Sequence, residues 1–207
     1  MTTTLIIARH GNTFEAGEPS RRVGGRTDLP LTDSGRAQAV RLGQHLARES
    51  LLPDAVYSSL QSRAKQTAAL AIAQIDPGIA VEPLAIFNEL DYGPDENMTD
   101  EAVLARIGAE ALKEWDERAI PPSGWLVDPP QIIRTWQEFG QGLIKNHTGR
   151  TVMVVTSNGT ARFAPHMTDD YEAFRARFPL KLSTGAYGVM THDGLRWTME
   201  SWNVKPS

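Results

Sequence analysis

Short apolar runs recur along the chain and predict β-strands. The first, Thr4 to Ala8, has no alternation of apolar and polar residues, which indicates a strand buried on both faces. The strongest is the run Thr151-Val152-Met153-Val154-Val155-Thr156. Further runs lie at 54–58, 81–86, 186–191 and 195–202. Between the last two, Asp193-Gly194 favours a tight hairpin turn.

Helical spacing fills most intervals between these runs. Ala39, Leu42 and Leu46 fall on one face of a helix that Thr32 or Asp33 caps. Further helices are predicted over about 62–75, 99–117 and 131–146. Strands that alternate with helices indicate an α/β fold. We therefore expect a three-layer α/β/α sandwich with a mostly parallel sheet and an antiparallel edge formed by the C-terminal hairpin.

The middle of the chain departs from this alternation. Residues 88–97 are acidic and irregular, and the proline-rich segment 120–130 interrupts regular structure. We predict a single domain over residues 1–207 with a cap-like insertion at about 95–130 that lies over one end of the sheet. Its large aromatic residues either line a pocket or form a core: Trp115, Trp125 and, just beyond it, Trp136.

Composition narrows the class of protein. The chain has 207 residues, a net charge of −4 and no cysteine, which excludes disulfides and thiolate metal sites and fits a reducing, cytoplasmic environment. Mild negative charge argues against nucleic acid as the main partner. No apolar run is long enough for a signal-peptide core or a membrane span.

Candidate chemistry begins where the first strand ends. Arg9 and His10 follow that strand, and ligands of open α/β sheets bind beyond the carboxyl ends of the strands. A lone histidine there is commonly a packed core residue. Arg9, however, offers a fork for phosphate or carboxylate, and Gly11 permits close backbone approach. With Asn12 and Thr13 as neutral donors, the segment has the features of an anion site that contains a nucleophile.

Three further segments carry groups suited to phosphate chemistry. Arg63 opens the helix after the second strand, where a helix N-terminus favours anions. Residues 87–96 include Glu89, and phosphoryl transfer needs one carboxyl that protonates the leaving oxygen. Residues 155–162 supply hydroxyl, amide and glycine groups. Each segment also has a structural explanation: a solvated arginine, a solvated acidic loop and a polar turn.

In this order, the four segments resemble those of the histidine phosphatase superfamily, the phosphoglycerate-mutase-like phosphohydrolases. Arg9-His10-Gly11 resembles the family's Arg-His-Gly signature. Residues 29–39 resemble its leucine-threonine-glycine-glutamine-alanine helix start, and 58–68 its serine-leucine-arginine-alanine-glutamine-threonine-alanine segment. Residues 89–96 resemble its acid loop. The Arg-His-Gly triplet alone is a weak signal, but four such elements in the family's order over most of the chain make the resemblance specific.

The resemblance implies a two-step phosphoryl transfer without a metal ion or other cofactor. His10 would attack phosphorus and form a phosphohistidine, while a backbone carbonyl holds its other ring nitrogen. Arg9 and Arg63 would bind the equatorial oxygens, with Asn12 as a further phosphate contact. Glu89 would protonate the leaving group and then take a proton from the attacking water.

One residue of the family pattern is missing. The family carries a second phosphate-binding histidine after the strand at 151–156, where an ungapped alignment places Ser157 and a one-residue shift places Asn158. We prefer Ser157, because the ungapped alignment also matches Arg162 to the family pattern. Ser157 and Asn158 are both retained as phosphate-binding candidates. A neutral hydrogen bond in place of a charge-assisted one costs roughly 1 kcal/mol, which is about tenfold or less in rate. His166 is a remote candidate for replacing the histidine.

Substrate selection is expected from the loop 17–30 and the insertion. Arg22 and Gly24 resemble the family's early substrate-loop positions. Arg21, Arg22 and Arg26 either meet a second anionic group of the substrate or are solvated.

We predict a phosphomonoester hydrolase of the histidine acid phosphatase type, acting on a small phosphorylated metabolite, with a homodimer left open. A phosphoglycerate mutase is a weaker alternative, because residues 97–130 lack an adjacent basic pair. The missing histidine also leaves open a catalytically weakened module that binds a phospho-ligand or docks a partner.

Overall fold

A six-stranded sheet in the order β3-β2-β4-β1-β5-β6 forms the centre of the molecule. The computed structural model describes residues 1–207. The strands are β1 (Thr3–Arg9), β2 (Ala55–Ser58), β3 (Val81–Pro83), β4 (Thr151–Thr156), β5 (Tyr187–His192) and β6 (Trp197–Val204). The first four are mutually parallel, and β5 pairs antiparallel with both β1 and β6. This confirms the predicted α/β sheet with an antiparallel C-terminal edge.

Helices cover both faces of this sheet. They are α1 (Asp33–Arg48), α2 (Ser62–Ile72), α3 (Asp100–Arg118), α4 (Pro129–Asn146), α5 (Asn158–Ala161) and α6 (Tyr171–Arg177). Thr32 is the cap of α1, since its hydroxyl accepts from the Gly35 N–H at 3.1 Å. Asp128 caps α4 in the same way, with Pro129 as the first helical residue.

The apolar residues of β1 divide between two cores. Ile6 and Ala8 pack in a core shared with α1 and α2, whereas Leu5 and Ile7 face the other side. All four are fully buried. Because both faces of the strand are covered, its sequence shows no alternation.

The segment 95–130 shares the second of these cores. Trp115 and Trp125 pack edge to face, with ring centroids 5.1 Å apart, in the same cluster as Leu5 and Ile7. The tryptophans therefore lie in a core that is continuous with the sheet and do not line the functional cavity described below. At Gly108 the backbone leaves helical geometry (φ 81°, ψ 161°) and α3 bends.

Several element boundaries differ from the sequence-based expectation. β3 covers only residues 81–83, and a 3-10 turn at 85–87 replaces its second half. α2 ends at Ile72, and α6 was not predicted. The turn between β5 and β6 spans four residues, because Asp193 Oδ1 accepts the N–H groups of Leu195 and Arg196. None of the helices is long and apolar enough to cross a membrane.

Candidate active site

Polar side chains converge at the carboxyl ends of β1 and β4. The two strands end in register, and the His10 N–H donates to the Thr156 carbonyl. A cavity of about 760 Å³ opens at this edge of the sheet. Its lining includes most of the predicted site residues: Arg9, His10, Asn12, Arg22, Glu89 and Asn158. The structure places Arg63, Ser157 and Gly24 outside this lining.

His10 lines the cavity with only 6% of its surface exposed. Its Nδ1 lies 2.7 Å from the Gly11 carbonyl oxygen. Because a carbonyl only accepts, Nδ1 carries the hydrogen and Nε2 keeps a free lone pair. Burial, followed by the charges of Arg63 and Arg9, lowers the pKa of His10 well below its usual value of 6.5. The ring is therefore neutral at neutral pH.

Two glycines hold the His10 turn against the start of α1. A Cβ on Gly35 would lie 2.2 Å from the Asn12 carbonyl oxygen, and one on Gly11 would lie 2.3 Å from that of Gly35. The Gly11 N–H donates to the Thr67 hydroxyl of α2 at 3.1 Å. The position of His10 thus depends on close backbone contact with α1 and a hydrogen bond to α2.

Two arginines lie near His10 at different depths. Arg9 lines the cavity and donates through Nη1 to the Leu182 carbonyl at 2.9 Å. Arg63 is fully buried and donates to the carbonyls of Thr27 and Gly24 at 2.8 and 3.3 Å. The charge of Arg63 still acts on His10, whose pKa it lowers. Arg9 is thus positioned for direct contact with a ligand, whereas Arg63 supplies positive potential from behind the lining.

The Glu89 carboxylate is fixed by three backbone N–H groups. Oε1 accepts from Leu90 and Thr160 at 2.9 and 3.1 Å, and Oε2 accepts from Gly159 at 3.0 Å. Gly159 and Thr160 belong to α5, which directly follows β4. The turn after the strongest strand therefore positions the acidic side chain. Because Oε1 has two donors and Oε2 one, Oε2 has the freer lone pair.

Tyr92 is a cavity residue that sequence reasoning did not assign to the site. A Cβ at position 159 would lie 2.6 Å from the Tyr92 hydroxyl and 2.4 Å from Glu89 Oε1, so both groups pack against Gly159. Burial and the neighbouring Glu89 carboxylate raise the pKa of Tyr92. The hydroxyl therefore keeps its proton and can donate to a ligand. Its place within the acid loop is the signal that could have identified it.

Asn12 and Asn158 present amide groups to the cavity. Asn158 Oδ1 accepts the Leu182 N–H at 2.8 Å, which leaves the Nδ2 donors for a ligand. Asn12 Oδ1 accepts from the Thr184 hydroxyl at 2.6 Å. Ser157 is 1% exposed, and its hydroxyl has no hydrogen-bond partner. Of the two candidates for the missing histidine, the structure brings Asn158 to the cavity.

The substrate-loop candidates also occupy different positions. Arg22 lines the cavity, whereas Gly24 does not and packs against the acid segment. The Gly24 N–H donates to Glu96 at 3.0 Å, and its carbonyl accepts from Gln61 at 2.9 Å. A Cβ there would lie 2.5 Å from the Leu90 carbonyl oxygen. Gly24 therefore permits close packing of the loop, and its polar backbone atoms are already paired.

No histidine other than His10 lines the cavity. His166 stacks on Tyr171 with ring centroids 3.7 Å apart, so it does not take the place of the missing histidine. No group of three or more histidine, aspartate or glutamate side chains is arranged to hold a metal ion.

Comparison with known proteins identifies the family. Residues 5–205 match the model of the histidine phosphatase superfamily, branch 1. The chain belongs to this superfamily.

Curated relatives include the 2,3-bisphosphoglycerate-dependent phosphoglycerate mutase of Mycobacterium leprae, 36% identical over 173 residues. The match covers 81% of this chain and 66% of the relative. A protein of the same name from Arthrobacter sp. is 36% identical over 159 residues, covering 74% of this chain and 63% of the relative. This chain thus spans less than two thirds of the length of either relative.

Similar solved structures cover the whole fold. A mycobacterial glucosyl-3-phosphoglycerate phosphatase has a TM-score of 0.79 at 19% identity, over 99% of this chain and 100% of that chain. The α-ribazole phosphatase of Shigella flexneri has a TM-score of 0.73 at 20% identity, over 98% and 96%. At these identities the likeness shows a shared fold.

Proposed function

We propose that this protein is a metal-independent phosphomonoester hydrolase that acts through a phosphohistidine at His10. The observation that carries the proposal is a buried, neutral imidazole with a free Nε2, beside Arg9 and Glu89 in one cavity. A pure binding site has no need for a nucleophile together with an acid. The phosphatase names of several structural neighbours agree with hydrolysis.

The first step forms a bond between His10 Nε2 and phosphorus and breaks the phosphorus–oxygen bond of the ester. Arg9, with the charge of Arg63 behind it, stabilises the equatorial oxygens, and the amides of Asn12 and Asn158 donate to them. The arginines supply the positive charge that a metal ion supplies in other phosphatases.

Glu89 handles the proton in both steps. We assign Oε2 this role, because Oε1 already accepts two N–H groups. Protonated Oε2 donates to the departing ester oxygen, and the resulting carboxylate then takes a proton from water as that water displaces the histidine. Free phosphate and neutral His10 are restored.

A phosphoglycerate mutase is the second candidate, because curated relatives at 36% identity carry that name. In a mutase, the phosphoryl group on histidine passes to a hydroxyl of the substrate rather than to water. The catalytically weakened binding module is the third candidate, since Ser157 or Asn158 stands in place of the family's second histidine. A small phosphorylated substrate, a cytoplasmic location and a homodimer stay predictions.

The test is hydrolysis of p-nitrophenyl phosphate with EDTA present, comparing the wild type with His10→Ala. We expect phosphate release in the wild type and its loss in the variant. A parallel assay follows conversion of 3-phosphoglycerate to 2-phosphoglycerate with and without 2,3-bisphosphoglycerate. Isomerisation faster than phosphate release would make the mutase the better assignment. A folded wild type inactive in both assays would favour the binding module.

A further inference from the structure

Gln61 is a buried glutamine at the start of α2 whose side chain does not cap that helix. It is 5% exposed and occupies the N-cap position, where a serine or aspartate side chain ordinarily accepts an N–H of the first turn. In this structure Asp28, from the loop 17–30, supplies such an acceptor. Its carboxylate accepts the N–H and the hydroxyl of Ser62 at 2.7 and 2.8 Å. The side-chain amide of Gln61 is thereby left for contacts outside its own helix.

This amide bridges the loop 17–30 and the acidic residue of the site. Its Nε2 donates to the Gly24 carbonyl at 2.9 Å, and its Oε1 accepts the Glu89 N–H at 3.0 Å. Because a carbonyl only accepts and an N–H only donates, the bridge needs a donor at one end and an acceptor at the other. The amide of glutamine meets both requirements, whereas a carboxylate or an ammonium group meets one.

The Glu89 N–H depends on this bridge more than the loop does. The loop has another attachment to the acid segment, because the Gly25 N–H donates to the Leu90 carbonyl at 2.7 Å. The Glu89 N–H, in contrast, is bonded to Gln61 alone. Loss of the amide would therefore leave the loop attached but would free the backbone of the residue that transfers the proton.

The other end of the bridge is itself held by a buried arginine. The Gly24 carbonyl accepts from Arg63 Nη2 at 3.3 Å as well as from Gln61, so both of its lone pairs are used. Arg63 is fully buried and also donates to the Thr27 carbonyl at 2.8 Å. Gln61 thus ties the backbone of Glu89 to a carbonyl that Arg63 already holds in place.

We propose that Gln61 is a positioning residue for proton transfer, which holds the Glu89 backbone so that Oε2 reaches the departing ester oxygen. This inference rests on the proposed function, in which Glu89 donates that proton. Gln61 does not line the cavity. Its effect on the reaction therefore passes through the groups to which it is bonded.

The test compares two esters whose leaving groups differ in basicity, phenyl phosphate and p-nitrophenyl phosphate. Phenolate is the stronger base and needs a proton as it leaves, whereas p-nitrophenolate leaves readily without one. Gln61→Met keeps a side chain of similar length and removes both hydrogen bonds. We expect kcat/KM to fall about 10-fold for phenyl phosphate and about 2-fold or less for p-nitrophenyl phosphate, in a protein with a native thermal melt.

Gln61→Glu is the rescue variant. It keeps an acceptor for the Glu89 N–H and loses the donor to the Gly24 carbonyl. We expect it to recover part of the kcat/KM lost with phenyl phosphate, because the proposed effect arises at the Glu89 N–H.

A double-mutant cycle with Glu89→Gln shows whether Gln61 acts through Glu89. Glu89→Gln alone should lower kcat/KM for phenyl phosphate about 100-fold, and adding Gln61→Met should cause little further loss. Losses that multiply in the double variant would mean that Gln61 acts independently of Glu89, and they would overturn the proposal. Equal losses for the two esters in Gln61→Met would overturn it as well.

Gln66→Met is the matched control. Gln66 also lies in α2, and its Oε1 accepts the Leu31 N–H at 3.1 Å, so it is a second glutamine that holds a loop. We expect the ratio of the two kcat/KM values to stay at its wild-type value in this variant. A wild type that hydrolyses neither ester would overturn the proposed function and this inference with it, whereas equal losses in Gln61→Met beside an active wild type would overturn this inference alone.

Discussion

At the residue scale, burial and the charges of two arginines together keep the His10 ring neutral. Burial would suppress the imidazolium form by itself, and the charges of Arg63 and Arg9 suppress it further. The same charges attract a phosphate dianion. A neutral nucleophile and a cationic phosphate site are therefore compatible at close range, because the charges that attract phosphate also disfavour the imidazolium form.

Titration of His10 tests this argument. Its lowered pKa means that the ring stays neutral as the pH falls through 6.5, where an exposed histidine takes up a proton. Arg63→Met removes a positive charge, so we expect the pKa of His10 to rise, with protonation at a higher pH than in the wild type. Nitrogen-15 NMR of the imidazole measures the pKa of His10 in the wild type and in Arg63→Met.

The matched control is Lys65→Met, two residues along α2 on its exposed face. It should leave the His10 titration unchanged. Arg63→Lys keeps the charge and should also keep the low pKa. A titration near 6.5 in the wild type would show that His10 is neither buried nor repelled as described.

A second prediction concerns which residue, Ser157 or Asn158, binds phosphate where the family has its second histidine. Asn158→Ala removes a donor that faces the cavity, so we expect kcat/KM for p-nitrophenyl phosphate to fall about tenfold, equivalent to about 1.4 kcal/mol. Ser157→Ala removes a hydroxyl without a partner and should cost much less. The reverse order would assign the role to Ser157.

The sequence could not decide between these two positions. An ungapped alignment favours Ser157, but a one-residue difference at the end of a strand reverses the direction of a side chain. The contact that orients Asn158 comes from Leu182, 24 residues further along the chain. By contrast, Arg9, His10 and Glu89 could be predicted, because local motifs identified them and the sheet brings the ends of β1 and β4 together.

At the level of elements, the junction between β1 and α1 depends on a glycine pair. Gly35→Ala would place a Cβ 2.2 Å from the Asn12 carbonyl oxygen, so either α1 or the His10 turn must move. We expect a loss of about 1–3 kcal/mol in the free energy of unfolding. We also expect lower phosphatase activity, since Asn12 and His10 are displaced. Urea denaturation and the p-nitrophenyl phosphate assay measure the two effects.

Gly142→Ala is the control for helix propensity. This glycine lies within α4, and a Cβ there would contact nothing within 4 Å. Alanine should therefore stabilise the protein by about 0.5–1 kcal/mol. If both variants were stabilised, the close contact between Gly35 and Asn12 would not exist in solution.

Elements with long, regular patterns could be predicted, and those decided by tertiary contacts could not. α1 and β4 carry their own signals: a capping threonine, a helical apolar face and an unbroken β-branched run. β3 lies at the sheet edge and shortens because Leu84 to Phe87 turn toward the site, where the Phe87 carbonyl accepts from the Thr156 hydroxyl at 2.6 Å. The seven-residue α6 depends on Phe174, which packs against Trp202.

At the scale of the whole molecule, a buried acidic group holds three parts of the segment 95–130 together. Asp95 is 1% exposed, and its carboxylate accepts from Arg106 and from Trp125 Nε1, the latter at 2.6 Å. Arg106 belongs to α3, whose two ends carry Asp100 and Asp116 into the cavity wall. Stability of the fold and the shape of the cavity therefore depend on the same contact.

Loss of this charge should destabilise the protein in a pH-dependent manner. Burial alone would raise the pKa of Asp95, but the hydrogen bonds from Arg106 and Trp125 outweigh it and hold the pKa below its usual value of 3.8. The stabilisation by ionised Asp95 is therefore fully present above about pH 4 and is lost as the pH falls through the lower folded-state pKa. We expect Asp95→Asn to lower the free energy of unfolding by about 1–3 kcal/mol at pH 7. The difference in unfolding free energy between this variant and the wild type should narrow below about pH 4.

Urea denaturation between pH 7 and 3 measures this difference. The exposed Asp169→Asn is the control and should show no such pH-dependent difference. A deficit that stays constant down to pH 3 would mean that packing around Asp95, rather than its charge, holds the segment together.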